Sequence, residues 1–223
     1  MKSFAGVFAV LAIASQALAV DKTELDQRIA SLAMSFDVLQ AKPDKRIPAE
    51  TLRKAQGIVL LDLTKAGFGF AFQGGSGMAM VKNAAGQWSA PSFLEASQAS
   101  FGFQAGGSQS FVVVLLMNTN TTRMLSEPVY RFGGEAGATA GNASGSVETT
   151  FVPKDQQILV YTDSEGFYGG AAAKGGSLTP NAEANVVYYG ASLTPKDILF
   201  DRKAKPSHTA IRLTRKLKEA SAK

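Results

Sequence analysis

The chain has 223 residues, of which 45% are hydrophobic and 18% are charged. This composition is typical of a folded globular protein and excludes a disordered one. The sequence contains no cysteine and one histidine. Disulfides, zinc–thiolate sites, iron–sulfur clusters, cysteine nucleophiles and multi-histidine metal sites are therefore excluded. We expect neither a metal nor a cofactor, and a binding protein rather than an enzyme.

The first 19 residues have the pattern of a secretory signal peptide. Lys2 supplies a positive charge, residues 4–18 are almost uniformly apolar, and Ala17–Ala19 is an A-x-A cleavage site. An apolar run of about 15 residues is too short to span a membrane. The sequence predicts that residues 20–223 are exported as a single domain. Their destination is the periplasm or the extracellular space, with a peripheral position on a membrane as one option.

Two helices are predicted at the start of this domain, within residues 20–56. Apolar residues recur at steps of three and four over residues 23–40, which is the spacing of one helix face. Thr23 and Asp26 are placed to form a capping box at its start. A proline suits the first turn of a second, short helix over Pro48–Ala55.

Residues 57–200 predict a glycine-rich sheet. Short apolar or alternating runs, separated by turn residues, indicate strands that pair mostly antiparallel in a twisted or barrel-like sheet. The expected strands are Ile58–Leu63, Phe68–Phe72, Met78–Val81, Phe101–Gln104, Phe111–Met117, Tyr130–Phe132, Ile158–Tyr161, Phe167–Ala173 and Val186–Tyr189. Turns are expected at Gly74–Gly77, Asn83–Gly86 and Asp163–Gly166.

Glycine is concentrated in this region, because 20 of the 22 glycines lie between Gly67 and Gly190. Glycine weakens strands, so it indicates bulges, tight bends or the close approach of another backbone or a ligand. Four glycines recur at four-residue steps, at Gly133, Gly137, Gly141 and Gly145. This spacing favours a strand with a smooth face, available to a protein partner or a second copy of the chain. A mobile loop is the alternative.

The C-terminal part, residues 201–223, predicts a basic amphipathic helix. Ala210, Leu213 and Leu217 fall on one helical stripe, and basic residues occupy the remaining faces. Residues 196–223 carry a net charge of +6, whereas residues 20–195 carry a net charge of −2. The two leucines are expected in the core, with shallow insertion into lipid as the alternative. The fold class is therefore α+β.

The motifs of common catalytic sites are missing. The sequence has no G-x-S-x-G elbow, no P-loop and no dinucleotide-binding glycine loop. His208 is expected on a helix surface. Asp163 and Glu165 carry the oxygen ligands that calcium prefers, but they are more simply part of a hairpin turn. The aromatic residues lie apart from the positive charges, so no nucleic-acid surface is expected.

Several segments, taken in order, make the chain resemble the SYLF domain family. They are Lys65–Phe70, Gln73–Gly77, Trp88–Phe93, Gly102–Gly106, Val112–Asn118, Tyr161–Gly170 and Asn185–Gly190. The resemblance extends from about Pro48 to Leu217. It implies a non-enzymatic module that binds phosphoinositides or other acidic lipids and, in eukaryotic members, actin. Because the chain begins with an export signal, we do not expect it to meet cytosolic actin, and the implied lipid is an anionic phospholipid of unspecified type.

The expected function is thus peripheral binding to an anionic phospholipid surface. The candidate lipid-binding side chains are the bases of the C-terminal segment, namely Arg202, Lys203, Lys205, Arg212, Arg215, Lys216 and Lys218. Such residues attract an anionic surface, and the attachment is expected to weaken with salt. The alternative is a structural or protein-interaction scaffold of the cell envelope that does not bind lipid.

Overall fold

A computed structural model of the chain describes residues 20–133, 147–148, 158–169 and 175–222. Within these ranges the helices are α1 (Lys22–Ala41), α2 (Ala49–Lys54), α3 (Thr119–Arg123), α4 (Ala182–Tyr189), α5 (Pro195–Leu199) and α6 (His208–Ala222). The strands are β1 (Gly57–Val81), β2 (Ser92–Leu116), β3 (Tyr130–Gly133), β4 (Val147–Glu148), β5 (Ile158–Gly169) and β6 (Gly175–Pro180). A 3₁₀ turn, Met124–Ser126, follows α3. The α+β class is confirmed, and the predicted signal peptide lies outside the described residues.

Helix α1 buries the apolar face that its sequence spacing predicts. The buried residues are Leu25, Ile29, Leu32, Ala33, Phe36 and Leu39. The predicted capping box of Thr23 and Asp26 is wrong. Instead Asp21 is the N-cap, and its side chain accepts a hydrogen bond from the backbone N–H of Glu24 at 2.7 Å. Asp26 therefore lies in the second turn, where its carboxylate is available to other helices.

The two longest strands form one continuous antiparallel hairpin. β1 and β2 pair over almost their full length, with a register shift between Phe68 and Phe70. The turn predicted at Asn83–Gly86 closes this hairpin, and Gly86 adopts the left-handed conformation there. The turn predicted at Gly74–Gly77 is wrong, because these residues continue β1 and pair with β2. The short strands predicted on either side of that turn are parts of one long strand.

Strand β1 bends so that its two ends meet. The backbone N–H of the residue that follows β1 donates a hydrogen bond to the carbonyl oxygen of the residue that precedes β1, with an N···O distance of 2.8 Å. A Cβ atom on Gly75 would lie 1.9 Å from the carbonyl oxygen of Asp62. A Cβ atom on Gly77 would lie 2.0 Å from the carbonyl oxygen of Leu60. Only glycine fits at these distances, so the prediction that glycine marks the close approach of another backbone is confirmed at both positions.

Strand β2 is central to the sheet. Among the described residues, six strands form one antiparallel sheet that is not closed. β1 lies along one edge of β2, while β5 and β6 pair with the two halves of its other edge. β3 then pairs with β6, and β4 with β5. The antiparallel pairing predicted from the sequence is confirmed.

Alternate residues of the long strands belong to two separate hydrophobic clusters, as the two-residue period of a strand requires. Ile58 and Leu60 pack with residues of α1, α2, α4 and α6. Val59 and Leu61 pack in the second cluster, which contains Leu199 of α5 and residues of the 3₁₀ turn. The N- and C-terminal helices therefore share one face of the sheet, and α5 lies on the other.

The strand predicted at Val186–Tyr189 is wrong, because these residues form the second half of α4. Asn181 caps this helix by accepting a backbone hydrogen bond at 2.8 Å, and Gly190 ends it in the left-handed conformation. Asn185 is fully buried, and its side-chain amide exchanges two hydrogen bonds with the backbone of Phe93. This amide attaches α4 to the first residues of β2.

Three further sequence predictions, of a turn, a strand and a short helix, have different outcomes. The hairpin turn at Asp163–Gly166 is wrong, because β5 passes through it and pairs with β2 without a break. The strand at Tyr130–Phe132 is confirmed as β3, and the short helix at Pro48–Ala55 is confirmed as α2. Of the four regularly spaced glycines, Gly137, Gly141 and Gly145 lie outside the described residues.

We expect Gly75→Ala to lower the free energy of unfolding by about 3 kcal/mol, because the added methyl group forces the two halves of β1 apart. Urea denaturation followed by circular dichroism measures this change. Gly86→Asn is the control, since a Cβ atom there has no neighbour within 4 Å and asparagine tolerates a positive φ. Wild-type stability of Gly75→Ala would contradict the close contact.

Candidate functional site

The predicted lipid-binding segment is built around α6, which packs against α1 and α2. Its inner face buries Thr209, Ala210, Leu213 and Leu217. Both leucines belong to the cluster that α1 forms with the sheet. The expectation that these leucines are core residues is confirmed, and neither is available for shallow insertion into lipid.

The outer face of α6, formed by Ile211, Arg215 and Lys218, lies opposite this buried stripe by helical periodicity. All three residues are exposed, Ile211 over 52% of its surface. Arg215 makes a long ion pair with Glu219, 3.8 Å from Nε to Oε1, in which both side chains are largely exposed. Lys218 has no ion pair within the part of the chain that the structure describes. This face presents two cations to solvent.

Two further predicted bases turn towards α1. Lys216 forms an ion pair with Asp37. Arg212 donates from Nη2 to Thr209 Oγ1 at 3.0 Å and lies in the field of Asp26. Because carboxylates of α1 partly neutralise both charges, these two bases attract an external anion less than Arg215 and Lys218 do.

The bases before α6 are used differently. Arg202, at φ +54°, donates to three carbonyl oxygens within residues 81–88, the shortest contact being 2.7 Å. Lys203 lies 2.6 Å from the carboxylate of Asp197. This hydrogen bond lowers the pKa of Asp197 well below its ordinary value and raises the pKa of Lys203. Lys205 is exposed. Arg202 thus holds the β1–β2 turn rather than facing solvent as a free cation.

A carboxylate on α1 fixes the start of α6. The hydrogen-bond donors to Asp26 are Thr209 Oγ1 at 2.5 Å, Tyr188 OH at 2.7 Å and Ser207 Oγ at 3.0 Å. Burial opposes ionisation of Asp26, but these hydrogen bonds outweigh it and lower its pKa. The charge also lies at the N-terminal end of α6, where the helix dipole favours an anion. The orientation of α6 is therefore set by α1 and α4.

Sequence reasoning missed a second carboxylate contact, at Asp163 of β5. Asp163 is 8% exposed and forms ion pairs with Lys45, at 2.9 Å, and with Lys42. Burial opposes its ionisation, yet the two ammonium groups lower its pKa. Both lysines lie in the α1–α2 loop, so the contact joins this loop to the sheet. Lys42 is 121 residues away in sequence, and no local pattern could indicate the pair.

Two exposed arginines in α2 and in the loop before it were also missed; α2 packs against α6. Arg46 precedes α2 and Arg53 lies in its last turn. α1 and α6 run in the same direction, because Asp26 contacts the start of α6 and Asp37 contacts Lys216 further along it. The C-terminal half of α6 therefore lies towards α2 and the loop before it. The pattern of charge along the C-terminal segment alone could not indicate these residues.

The described residues contain no helix that is long and apolar enough to cross a membrane. They also contain no group of three or more potential metal-ligating side chains. The carboxylate of Asp163, considered for calcium from the sequence, is occupied by two lysine ammonium groups. His208 is exposed on α6, as predicted.

Comparison with known proteins finds relatives over most of the chain. The family model described as Ysc84, Las17-binding protein actin regulator, matches residues 97–220. The chain is 30% identical over 163 residues to Protein YSC84 of Saccharomyces cerevisiae, which covers 71% of this chain and 35% of that protein. It is 27% identical over 186 residues to SH3 domain-containing YSC84-like protein 1 of Xenopus laevis, which covers 81% of this chain and 56% of that protein.

The human SH3 domain-containing YSC84-like protein 1 is 29% identical over 167 residues, covering 74% of this chain and 49% of that protein. The chain thus spans about a third to about half the length of the curated relatives that it matches. No solved structure matches the chain.

We expect the free energy of unfolding to fall once the pH drops below the ordinary aspartate pKa of 3.8. Asp163 and Asp26 have lower pKa values in the folded than in the unfolded chain. Their charged forms therefore stabilise the fold above that value, and protonation removes the stabilisation as the pH falls. Urea denaturation between about pH 7 and about pH 2.5 measures the dependence.

The variant Asp163→Asn isolates the contribution of Asp163 to this pH dependence. The variant should lose about 1–3 kcal/mol of stability at neutral pH and show a flatter pH dependence. Asp44→Asn changes an exposed aspartate of the same loop and should leave both quantities unchanged. A wild-type pH profile in Asp163→Asn would show that its ion pairs do not stabilise the fold.

Proposed function

Since the chain belongs to the Ysc84 (SYLF) family, we propose that it is a non-enzymatic protein that binds anionic phospholipid surfaces peripherally. The family model covers more than half of the chain. Its description, a Las17-binding actin regulator, is that of a binding protein. The contact surface in this proposal is the basic face, defined as Arg46, Arg53, Arg215 and Lys218.

The observation that carries the proposal is that α6 separates its apolar and basic residues onto two sides. Leu213 and Leu217 are buried, whereas Arg215 and Lys218 are exposed. Asp26 fixes the start of the helix through its hydrogen bonds. The helix that carries these cations is therefore already in place before binding, which lowers the entropy cost of association compared with that of a flexible basic tail.

Electrostatics gives the scale of this attachment. At about 1 kcal/mol for each base near an anionic surface, the four residues of the basic face contribute about 4 kcal/mol. This corresponds to a dissociation constant of about 1 mM, so the attachment is weak, reversible and sensitive to salt. Lys205, which is exposed, adds to the same field. Lys203 and Lys216 contribute less, because each is paired with a carboxylate.

A protein partner is the second candidate, and the family description favours it. One relative, from Saccharomyces cerevisiae, is named LAS seventeen-binding protein 3 and is 29% identical over 163 residues. A scaffold role without lipid binding would use a protein surface of this chain instead of the basic face. Actin is not part of our proposal, because the predicted signal peptide directs the chain away from the cytosol.

Vesicle flotation of the chain from Val20 onwards tests the lipid proposal. The protein should float with phosphatidylglycerol-containing vesicles at about 50 mM salt and not with pure phosphatidylcholine vesicles. Binding should be lost at about 500 mM salt, because the Debye length falls from about 14 Å to about 4 Å. The double variant Arg215→Glu/Lys218→Glu should lose at least about tenfold in binding at low salt.

A charge-matched control distinguishes the basic face from net charge. Arg123→Glu/Lys196→Glu makes the same charge change at exposed positions on α3 and α5 and should bind like the wild type. Equal loss in both double variants would reject the basic face. Failure of the wild type to float would reject lipid binding and favour the protein partner. Truncation after Asp201 is unsuitable, because it removes Leu213 and Leu217 from the core.

We also propose that residues 1–19 are removed during export. Expression of the full chain with its own N-terminus should give an exported protein whose intact mass corresponds to a start at Val20. This start preserves Asp21, the N-cap of α1. An Ala17→Lys/Ala19→Lys variant should remain in the cytoplasmic fraction or keep the leader. An unprocessed wild-type chain in the cytoplasm would contradict the proposal.

A further inference from the structure

The outer surface of the two terminal helices carries exposed apolar side chains beside the basic face. Among the described residues, five large apolar side chains are exposed, and three of them lie on α1 and α6. These three are Met34, Val38 and Ile211, with Met34 62% and Val38 50% exposed. We refer to them as the apolar patch. Single exposed apolar residues are common on proteins, so it is their grouping that needs an explanation.

Helical periodicity places Met34 and Val38 on the side of α1 that faces solvent. They are one turn apart, and they lie opposite the face that α1 buries in the core. Gln27 and Ser31 continue the same row towards the start of the helix, and both are exposed and uncharged. The outer side of α1 is therefore an uncharged strip whose C-terminal half is apolar.

The apolar patch adjoins the cations of α6. The two helices pack side by side in the same direction, and their ion pair places Asp37 of α1 level with Lys216 of α6. Both apolar residues of α1 lie within one turn of Asp37, and Arg215 is the neighbour of Lys216 in sequence. Ile211 lies one turn before Arg215 on the same outer face. The patch thus surrounds a solvent-facing arginine on a surface formed by both helices.

The carboxylates beside the patch are paired with bases of α6. Asp37 forms its ion pair with Lys216, and Glu219 forms the long one with Arg215. Arg215 and Lys218 nevertheless remain exposed. Exposed bases next to exposed apolar side chains are typical of helices that bind at the interface of anionic membranes.

A second copy of the chain fits this surface less well than a bilayer does. A stable dimer buries about 800 Å² on each partner, which three side chains do not supply. Two copies would also bring the bases of their basic faces together, and like charges repel. An anionic bilayer meets neither difficulty, because its headgroups pair with the bases and small apolar side chains enter between them.

We propose that the apolar patch inserts between the headgroups of an anionic bilayer when the basic face binds, so that the protein selects membranes with loosely packed headgroups. The inference rests on the proposed function and adds an apolar contact to it. Gaps between headgroups expose acyl chains, and apolar side chains leave water by entering these gaps. The patch is too small to hold the protein without the bases, so the attachment is still lost at high salt.

Fluorescence from single labelled positions tests insertion directly, because the chain contains no cysteine of its own. Ile211→Cys and Met34→Cys variants, each starting at Val20, are labelled with the environment-sensitive dye NBD. Both labels should become brighter and blue-shifted on phosphatidylglycerol-containing vesicles at about 50 mM salt. Val129→Cys is the control, since Val129 is also exposed but follows the 3₁₀ turn, which packs on the opposite face of the sheet. Its label should not respond.

The triple variant Met34→Ser/Val38→Ser/Ile211→Ser removes the apolar patch and keeps every charge. Its free energy of unfolding should equal that of the wild type, because all three positions are exposed. Its binding to the same vesicles should fall by at least about tenfold. The wild type should bind small, highly curved vesicles better than large ones of the same composition, whereas the triple variant should not distinguish them.

The outcomes separate insertion from electrostatic attachment. Suppose that the wild type floats with anionic vesicles and the triple variant binds equally well. Insertion is then overturned, and the basic face alone accounts for binding. The same conclusion follows when the labels at residues 34 and 211 respond no more than the label at residue 129. Failure of the wild type to float overturns both proposals.

Discussion

The contact between glycine and carbonyl groups within β1 is the constraint on which the rest of the structure depends. β1 has 25 residues. Fully extended, a strand of that length would measure about 80 Å, roughly twice the diameter of a compact domain of this size. Gly75 and Gly77 allow its second half to lie against its first half. The long hairpin with β2 therefore becomes a compact sheet with two faces that helices can cover.

The charged surface is a consequence of how the terminal helices cover one of those faces. The apolar cluster that contains Leu213 and Leu217 holds α6 against one face of the sheet. That cluster does not by itself fix the direction of α6. The direction is fixed by Asp26, which accepts a hydrogen bond at the start of α6, and by Asp37, which forms an ion pair with Lys216. Once the leucines face inwards, helical periodicity leaves Arg215 facing solvent.

Features that depend on local spacing were predictable from the sequence, and features that depend on distant partners were not. The amphipathic spacing of α1 and α6 is local, so their buried faces were predicted correctly. Glycine at Gly74–Gly77 favours a turn locally, but continuous pairing with β2 overrides that preference. The basic residues of α6 followed from periodicity, whereas the use of Arg202 within the fold depends on carbonyl groups more than 110 residues away.

Strand periodicity explains where the helical layer over this face of the sheet ends. Leu60 and Asp62 point to the same face of β1, yet Leu60 is buried beneath the terminal helices and Asp62 is exposed. The change from apolar to polar side chains therefore marks the limit of the helical layer along the strand. Beyond that limit the sheet must tolerate water, and Thr64 continues the polar pattern. Phe93 and Glu95 show the same change along β2, so the boundary crosses both strands.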